Sequence, residues 1–182
     1  MSRRLAPTLM LLLCVILDTT LLPILYGGVF AVSLTLVSVL MIGMLLGRTP
    51  GLVAGTMGGL LLDITTGTLG IMTFYYLAAG FLIGLILYTP GERVATTRRY
   101  VRRQWMQRAV WVFVLTALGE IVLLGIQYAS TVTLEARYFI NIALRSLIVT
   151  ALCMLFYPAC RKWLLGGRNS NTTARNREVK QF

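Results

Sequence analysis

The chain has 182 residues, 57% of them hydrophobic and only 13% charged, with a mean hydropathy of +0.79. That balance exceeds what a soluble domain of this size needs, and alternating barrel patterns are absent, so composition predicts an all-α polytopic membrane protein. The net charge of +11 is read as a topology signal and a lipid contact, with no nucleic-acid role.

Six spans are expected. The first covers residues 5–25, with Asp18 inside and Pro23 near its end. A cleaved signal peptide is its alternative reading, disfavoured by the length of the run and the spans that follow. The second covers 29–47. The third, 51–64, follows Arg48, Thr49 and Pro50; at ~1.5 Å per residue it reaches only ~21 Å, short of a ~30 Å hydrocarbon core. A turn at Thr65 to Thr68 leads to the fourth span, 69–88. Residues 89–108 are basic and leave the bilayer, with Val94, Val101 and Trp105 at helical spacing amid Arg98, Arg99, Arg102 and Arg103. That segment suits anionic lipid or an acidic cytoplasmic partner. The fifth and sixth spans cover 109–128 and 136–157. Residues 1–160 thus form a six-helix transmembrane domain, and 161–182 a basic, mobile cytoplasmic tail.

Charge orients the bundle. With a cytoplasmic amino terminus, fifteen of the 17 Lys and Arg residues fall on inside segments, leaving only Arg137 and Arg145 in the sixth span. Both termini are therefore expected in the cytoplasm, with short outer connections.

From Gly43 to Gly59 a glycine recurs every fourth residue, and Asp63 stands where the next would fall. Small residues at that spacing let backbones approach closely in a membrane. Gly51, Gly55, Gly59 and Asp63 form a slanting seam, Gly58 widens it, and Gly80 with Gly84 repeat the spacing on the fourth span. The seam serves either internal packing of the third and fourth spans or the binding of another protein's helix.

Ionisable groups inside spans are functional candidates. Glu120 and Arg145 match in depth and are expected to pair across the fifth and sixth helices, while Arg137, Asn141 and Arg145 share one face by their i, i+4, i+8 spacing. With Asp18 and Asp63 these groups fall toward the outer half. They either pair with one another, fixing helix register, or meet a substrate or partner. Cys14, Cys153 and Cys160 show no metal spacing, and Cys14 and Cys153 read as packing residues. No histidine occurs, which removes serine–histidine hydrolysis and histidine metal sites, and both lysines lie in the tail, away from any phosphate-binding glycine loop. Neither catalysis nor a cofactor or metal is expected.

Residues 51–84, GLVAGTMGGLLLDITTGTLGIMTFYYLAAGFLIG, resemble the central signature of the rod shape-determining protein MreD family, where a glycine-rich helix ends in a GLLxD-like element followed by a short turn and further glycine. Here that element is Gly59-Leu60-Leu61-Leu62-Asp63, with Gly67 and Gly70 after it. The family's proline-aspartate pair at the second helix is replaced by Gly27-Gly28-Val29-Phe30. The resemblance implies a non-catalytic subunit of the bacterial cell-wall elongation machinery in the cytoplasmic membrane. Its partner would be an MreC-like bitopic protein and, through it, MreB, RodA and its transpeptidase. It also implies a fold similar to the vitamin-binding subunits of energy-coupling-factor transporters. Such a subunit is the alternative function, although the first span offers only Ala6 and no Ala-x-x-x-Ala docking pattern.

Overall fold

The computed structural model describes residues 5–20, 33–88, 98–128 and 136–165. These are all-helical: α1 (Leu5–Thr20), α2 (Leu34–Leu46), α3 (Arg48–Thr66), α4 (Ile71–Leu87), α5 (Arg98–Tyr128) and α6 (Ala136–Leu165). The connections expected on the outer side, at 26–28 and 129–135, together with Pro23, Val94 and residues 166–182, lie outside the described residues.

Helix α2 is the axis of the fold. It is apolar all round, as a helix enclosed on every side must be, and 11 of its 13 residues are buried. α1, α3, α4 and α6 all touch it, while α5 packs on α4 and α6. Leu40, Met41, Ile83, Val112 and Cys153 meet in the main core.

One residue joins α2 to α3. Gly47 adopts φ 104°, ψ −175°, a conformation essentially confined to glycine, and its N–H still donates to the Gly43 carbonyl at 3.0 Å. The ring of Tyr88 covers it. The expected break at Arg48 to Pro50 is instead the first turn of α3, where proline's missing N–H costs no intrahelical bond. α3 is consequently 19 residues long, ~28 Å at the helical rise, and the expected shortness of this span is corrected. Its far end also runs further than the sequence suggested. Thr65 and Thr66 are helical, with hydroxyls donating back to the Leu61 and Leu62 carbonyls, and the turn comes at Gly67 and Gly70, both at positive φ.

Two other boundaries shift. The basic segment is continuous with the fifth span from Arg98 onward, because Arg, Gln, Met and Trp in that run favour or tolerate a helix. α6 passes through Pro158 to Leu165, so Arg161 and Lys162, assigned to the mobile tail, are helical. A helix tolerates such a proline where neighbours or adjacent backbone adjust around the lost bond.

The exterior is apolar. Leu12, Leu13 and Ile16 on α1, Ile64 on α3, Phe74 on α4 and Leu155 on α6 are exposed, the last three at about 70%. Among the described residues, two helices contain stretches long and apolar enough to cross a membrane, Gln104–Ile126 and Tyr138–Trp163.

Candidate functional site

The glycine seam lies between α3 and α4. A Cβ built at Gly51 would fall under 3.0 Å from the Gly80 carbonyl oxygen, and one at Gly80 would meet the Gly51 carbonyl in return. Gly55 faces the Tyr76 and Leu77 backbone, Gly59 that of Thr73, and Gly84 that of Arg48. The two helices thus run antiparallel in backbone contact along the whole hairpin, and of the two uses weighed for the seam the fold takes internal packing. Gly43 joins from α2, with its Cα facing Gly51. Gly58 differs: it looks toward Thr35, Leu11 and Val39, letting α1 and α2 approach.

Asp63 crowns this hairpin. Buried, it accepts from Thr68 Oγ1 at 2.5 Å, Met72 N at 3.1 Å, Thr73 N at 2.8 Å and the Thr73 hydroxyl. It is the N-terminal cap of α4, reached from the preceding helix. A carboxylate there meets both the orphan N–H groups and the positive end of the helix dipole.

Asp18 does the same for α2. Its oxygens accept from Leu34 N and Thr35 N, each at 2.7 Å, and from Ser33 Oγ at 2.9 Å. Ser33 in turn accepts from Leu36 N at 3.2 Å through its hydroxyl and from Val37 N through its carbonyl. All four first-turn donors of α2 are satisfied, which a helix start away from water requires. The two aspartates, read as candidate recognition groups, are therefore committed to helix caps.

The tyrosine pair links the caps to the rest of the interior. Tyr76 donates to Ser33 Oγ at 2.7 Å, and Asp18, Glu120 and Asp63 all act electrostatically on its hydroxyl. Tyr75, whose ring centroid is 5.3 Å from that of Tyr76, presses against Gly119 of α5, within electrostatic reach of Glu120. Its buried hydroxyl has no hydrogen-bond partner among the described residues. Glu120 also interacts electrostatically with Arg145. Sequence reasoning passed over Tyr75 and Tyr76; a Tyr-Tyr pair inside an apolar helix was the available signal. Asn141 is exposed and stands apart from this interior cluster, and Arg137 lies in the first turn of α6.

At the opposite end, α5 and α6 are clasped by Tyr157. The Trp105 ring meets it edge-on, with centroids 5.7 Å apart. Arg108 Nη1 donates to its hydroxyl at 2.5 Å, with the guanidinium 4.9 Å from the ring centroid. Arg98, Arg99, Arg102 and Arg103 occupy the first two turns of α5 just beyond this clasp. Among the described residues no group of three or more Cys, Asp or Glu is placed to hold a metal.

Comparison with family models, with curated proteins and with solved structures found no match. Function is therefore argued from these residues and the motif they form.

Proposed function

We propose that this chain is a six-helix integral protein of the bacterial cytoplasmic membrane, with both termini inside. In this reading it serves as a non-catalytic scaffold of the cell-wall elongation machinery, of the MreD kind, binding an MreC-like bitopic protein and through it MreB, RodA and its transpeptidase. The observation that carries the reading is where the motif falls. Residues 51–84, on which the resemblance rests, coincide with the α3–α4 hairpin, its glycine contacts and its Asp63 cap. The apolar exterior and the internally satisfied helix starts support residence in lipid. Two committed aspartates, with no histidine in the chain, favour a structural role over chemistry.

Because α4 fills the glycine seam, the partner's transmembrane helix would meet the opposite side of α3. There Val53, Met57, Leu60 and Ile64 are exposed at i, i+4, i+7 and i+11, one continuous stripe. The test is depletion in the native cell with microscopy, alongside co-purification using Met57→Trp and Leu60→Trp variants. Rounding of rods, and recovery of an MreC-like protein by wild type with loss in the variants, is expected. Normal shape with a transporter ATPase recovered instead would overturn the reading in favour of a vitamin-binding subunit.

A further inference from the structure

Helix α6 has two sides. Ile142, Ser146, Val149, Cys153 and Tyr157 are buried, and the last three of them join the main core. Nearly opposite, at ~100° of rotation per residue, stand Asn141, Leu144, Ile148, Ala151, Leu155 and Pro158, which follow one another at alternating steps of three and four residues. All are exposed except Ile148, which is half-buried.

Alternating steps of three and four are the heptad spacing of a coiled-coil seam, a surface that a second helix completes. This one runs ~26 Å along the helix at the helical rise and lies inside the apolar stretch Tyr138–Trp163. Asn141, Ile148 and Leu155 take one core position of the heptad, Leu144 and Ala151 the other, and Pro158 closes the run. A single asparagine in the first position, followed there by a β-branched residue, is the pattern that fixes register and selects two strands. Ala151, in the middle, lets two backbones come close.

The asparagine also names the occupant. An amide carries both donor and acceptor, and a helix face turned to lipid leaves both to be met by another helix at the same depth. A second copy, related by a two-fold axis along the membrane normal, sets Asn141 against Asn141 at equal depth by symmetry, and each amide then donates to and accepts from the other. The exposed stripe of α3, made of Val53, Met57, Leu60 and Ile64, offers no such self-complementary group.

We infer that the chain pairs with a second copy of itself through α6, the two helices parallel about a two-fold axis and Asn141 hydrogen-bonded across it. The inference rests on the membrane-embedded reading above, and it uses a different helix from the one assigned to the bitopic partner.

The test places the full chain, labelled at its carboxyl terminus with donor or acceptor fluorophore, in phosphatidylcholine vesicles at falling protein-to-lipid ratio. Flotation after an alkaline wash reports insertion, and circular dichroism reports helix content. Wild type should float and show energy transfer that persists at dilutions where randomly placed copies show none. Ala151→Trp, bulky at the centre of the seam, should float with unchanged helix content and lose the transfer, while Leu118→Trp, at an exposed position on α5, should keep it. Asn141→Leu should weaken pairing by about three- to tenfold, the range of polar contacts between membrane helices, whereas a purely apolar seam would be unchanged or tightened. Under mild oxidation with copper phenanthroline, Ala151→Cys should give a linked dimer above the background that the native cysteines give in wild type, and Ala143→Cys, exposed on another side of α6, should not. Failure of wild type to float would sink the membrane reading itself. Flotation with transfer no higher than random placement gives, transfer untouched by Ala151→Trp, pairing untouched by Asn141→Leu, or linkage through Ala143→Cys instead would overturn the paired seam alone.

Discussion

Replacing Gly51 by alanine puts one methyl group into the tightest contact of the fold, and the structure sets the size of the penalty. The three atoms nearest the new Cβ are Gly80 O, Gly43 Cα and Gly80 C, all backbone and none farther than 3.0 Å. No side-chain rotation relieves them, so α3 must move away from α2 and α4 together. Overpacking of this kind costs ~1–3 kcal/mol, while alanine's better helix propensity returns at most ~1 kcal/mol. A net loss of about 1–2 kcal/mol follows from those two terms, because three backbone atoms place the overpacking toward the upper part of its range. Two glycines calibrate it. At Gly58 the methyl would meet Thr35 Cγ2 at 3.0 Å, Leu11 Cδ1 at 3.2 Å and Val39 Cγ2 at 3.6 Å, all ends of side chains that yield, so gain and loss should nearly cancel. At Gly125 nothing lies within 4 Å, and alanine should stabilise by up to ~1 kcal/mol. Reversible denaturant unfolding in mild detergent, followed by circular dichroism, should rank the variants Gly125→Ala, Gly58→Ala, Gly51→Ala from most to least stable. Because Gly51 and Gly80 obstruct each other reciprocally, the double variant Gly51→Ala with Gly80→Ala should cost less than the sum of the singles. A Gly51→Ala protein as stable as Gly125→Ala, or strict additivity with Gly80→Ala, would refute the close-contact argument.

Asp63→Asn keeps the shape but offers one acceptor oxygen to four donors, and should cost ~2 kcal/mol, with faster hydrogen exchange at the Met72 and Thr73 amides as the local readout. Gly47→Ala forces a side chain onto a backbone at φ 104° and should lose ~1–3 kcal/mol in the same unfolding assay, although the nearest atoms to its Cβ belong to the Tyr88 ring. Tyr76→Phe removes the donor to Ser33 and should cost ~1 kcal/mol, whereas Tyr75→Phe, which deletes a buried hydroxyl with no hydrogen-bond partner among the described residues, should be neutral or stabilising. Equal costs for the two tyrosines would show that the hydroxyl network is misassigned.

Helix identity was readable because apolar runs and their breaks are local properties of the chain, and the four-residue glycine spacing located the closest helix contact for the same reason. Glu120 and Arg145, expected to pair from their matched depths, come within electrostatic reach of each other. Other features depended on tertiary context. Arg48-Thr49-Pro50 looks like a linker, yet Gly47 alone makes the turn, because a single residue at positive φ suffices once Gly43 and Gly51 let the helices close. Asp18 and Asp63 drew attention as isolated charges. Their use as caps became visible only when the following helix start, Ser33 to Thr35 or Met72 to Thr73, was seen folded back onto them. No spacing rule links a carboxylate to an amide sixteen residues away, as between Asp18 and Leu34.

The one-residue joint at Gly47 also bears on how the protein is made. α2 has only 13 residues, ~20 Å of helix, too short to be held in a bilayer by its own length. Under the membrane reading proposed above, its joint to α3 means that it would enter the bilayer as half of a hairpin whose partner arrives with the very next turn of synthesis. The buried axis of the fold is thus built from consecutive segments, and in that reading a longer linker at residue 47 would leave α2 exposed before α3 and α4 could enclose it.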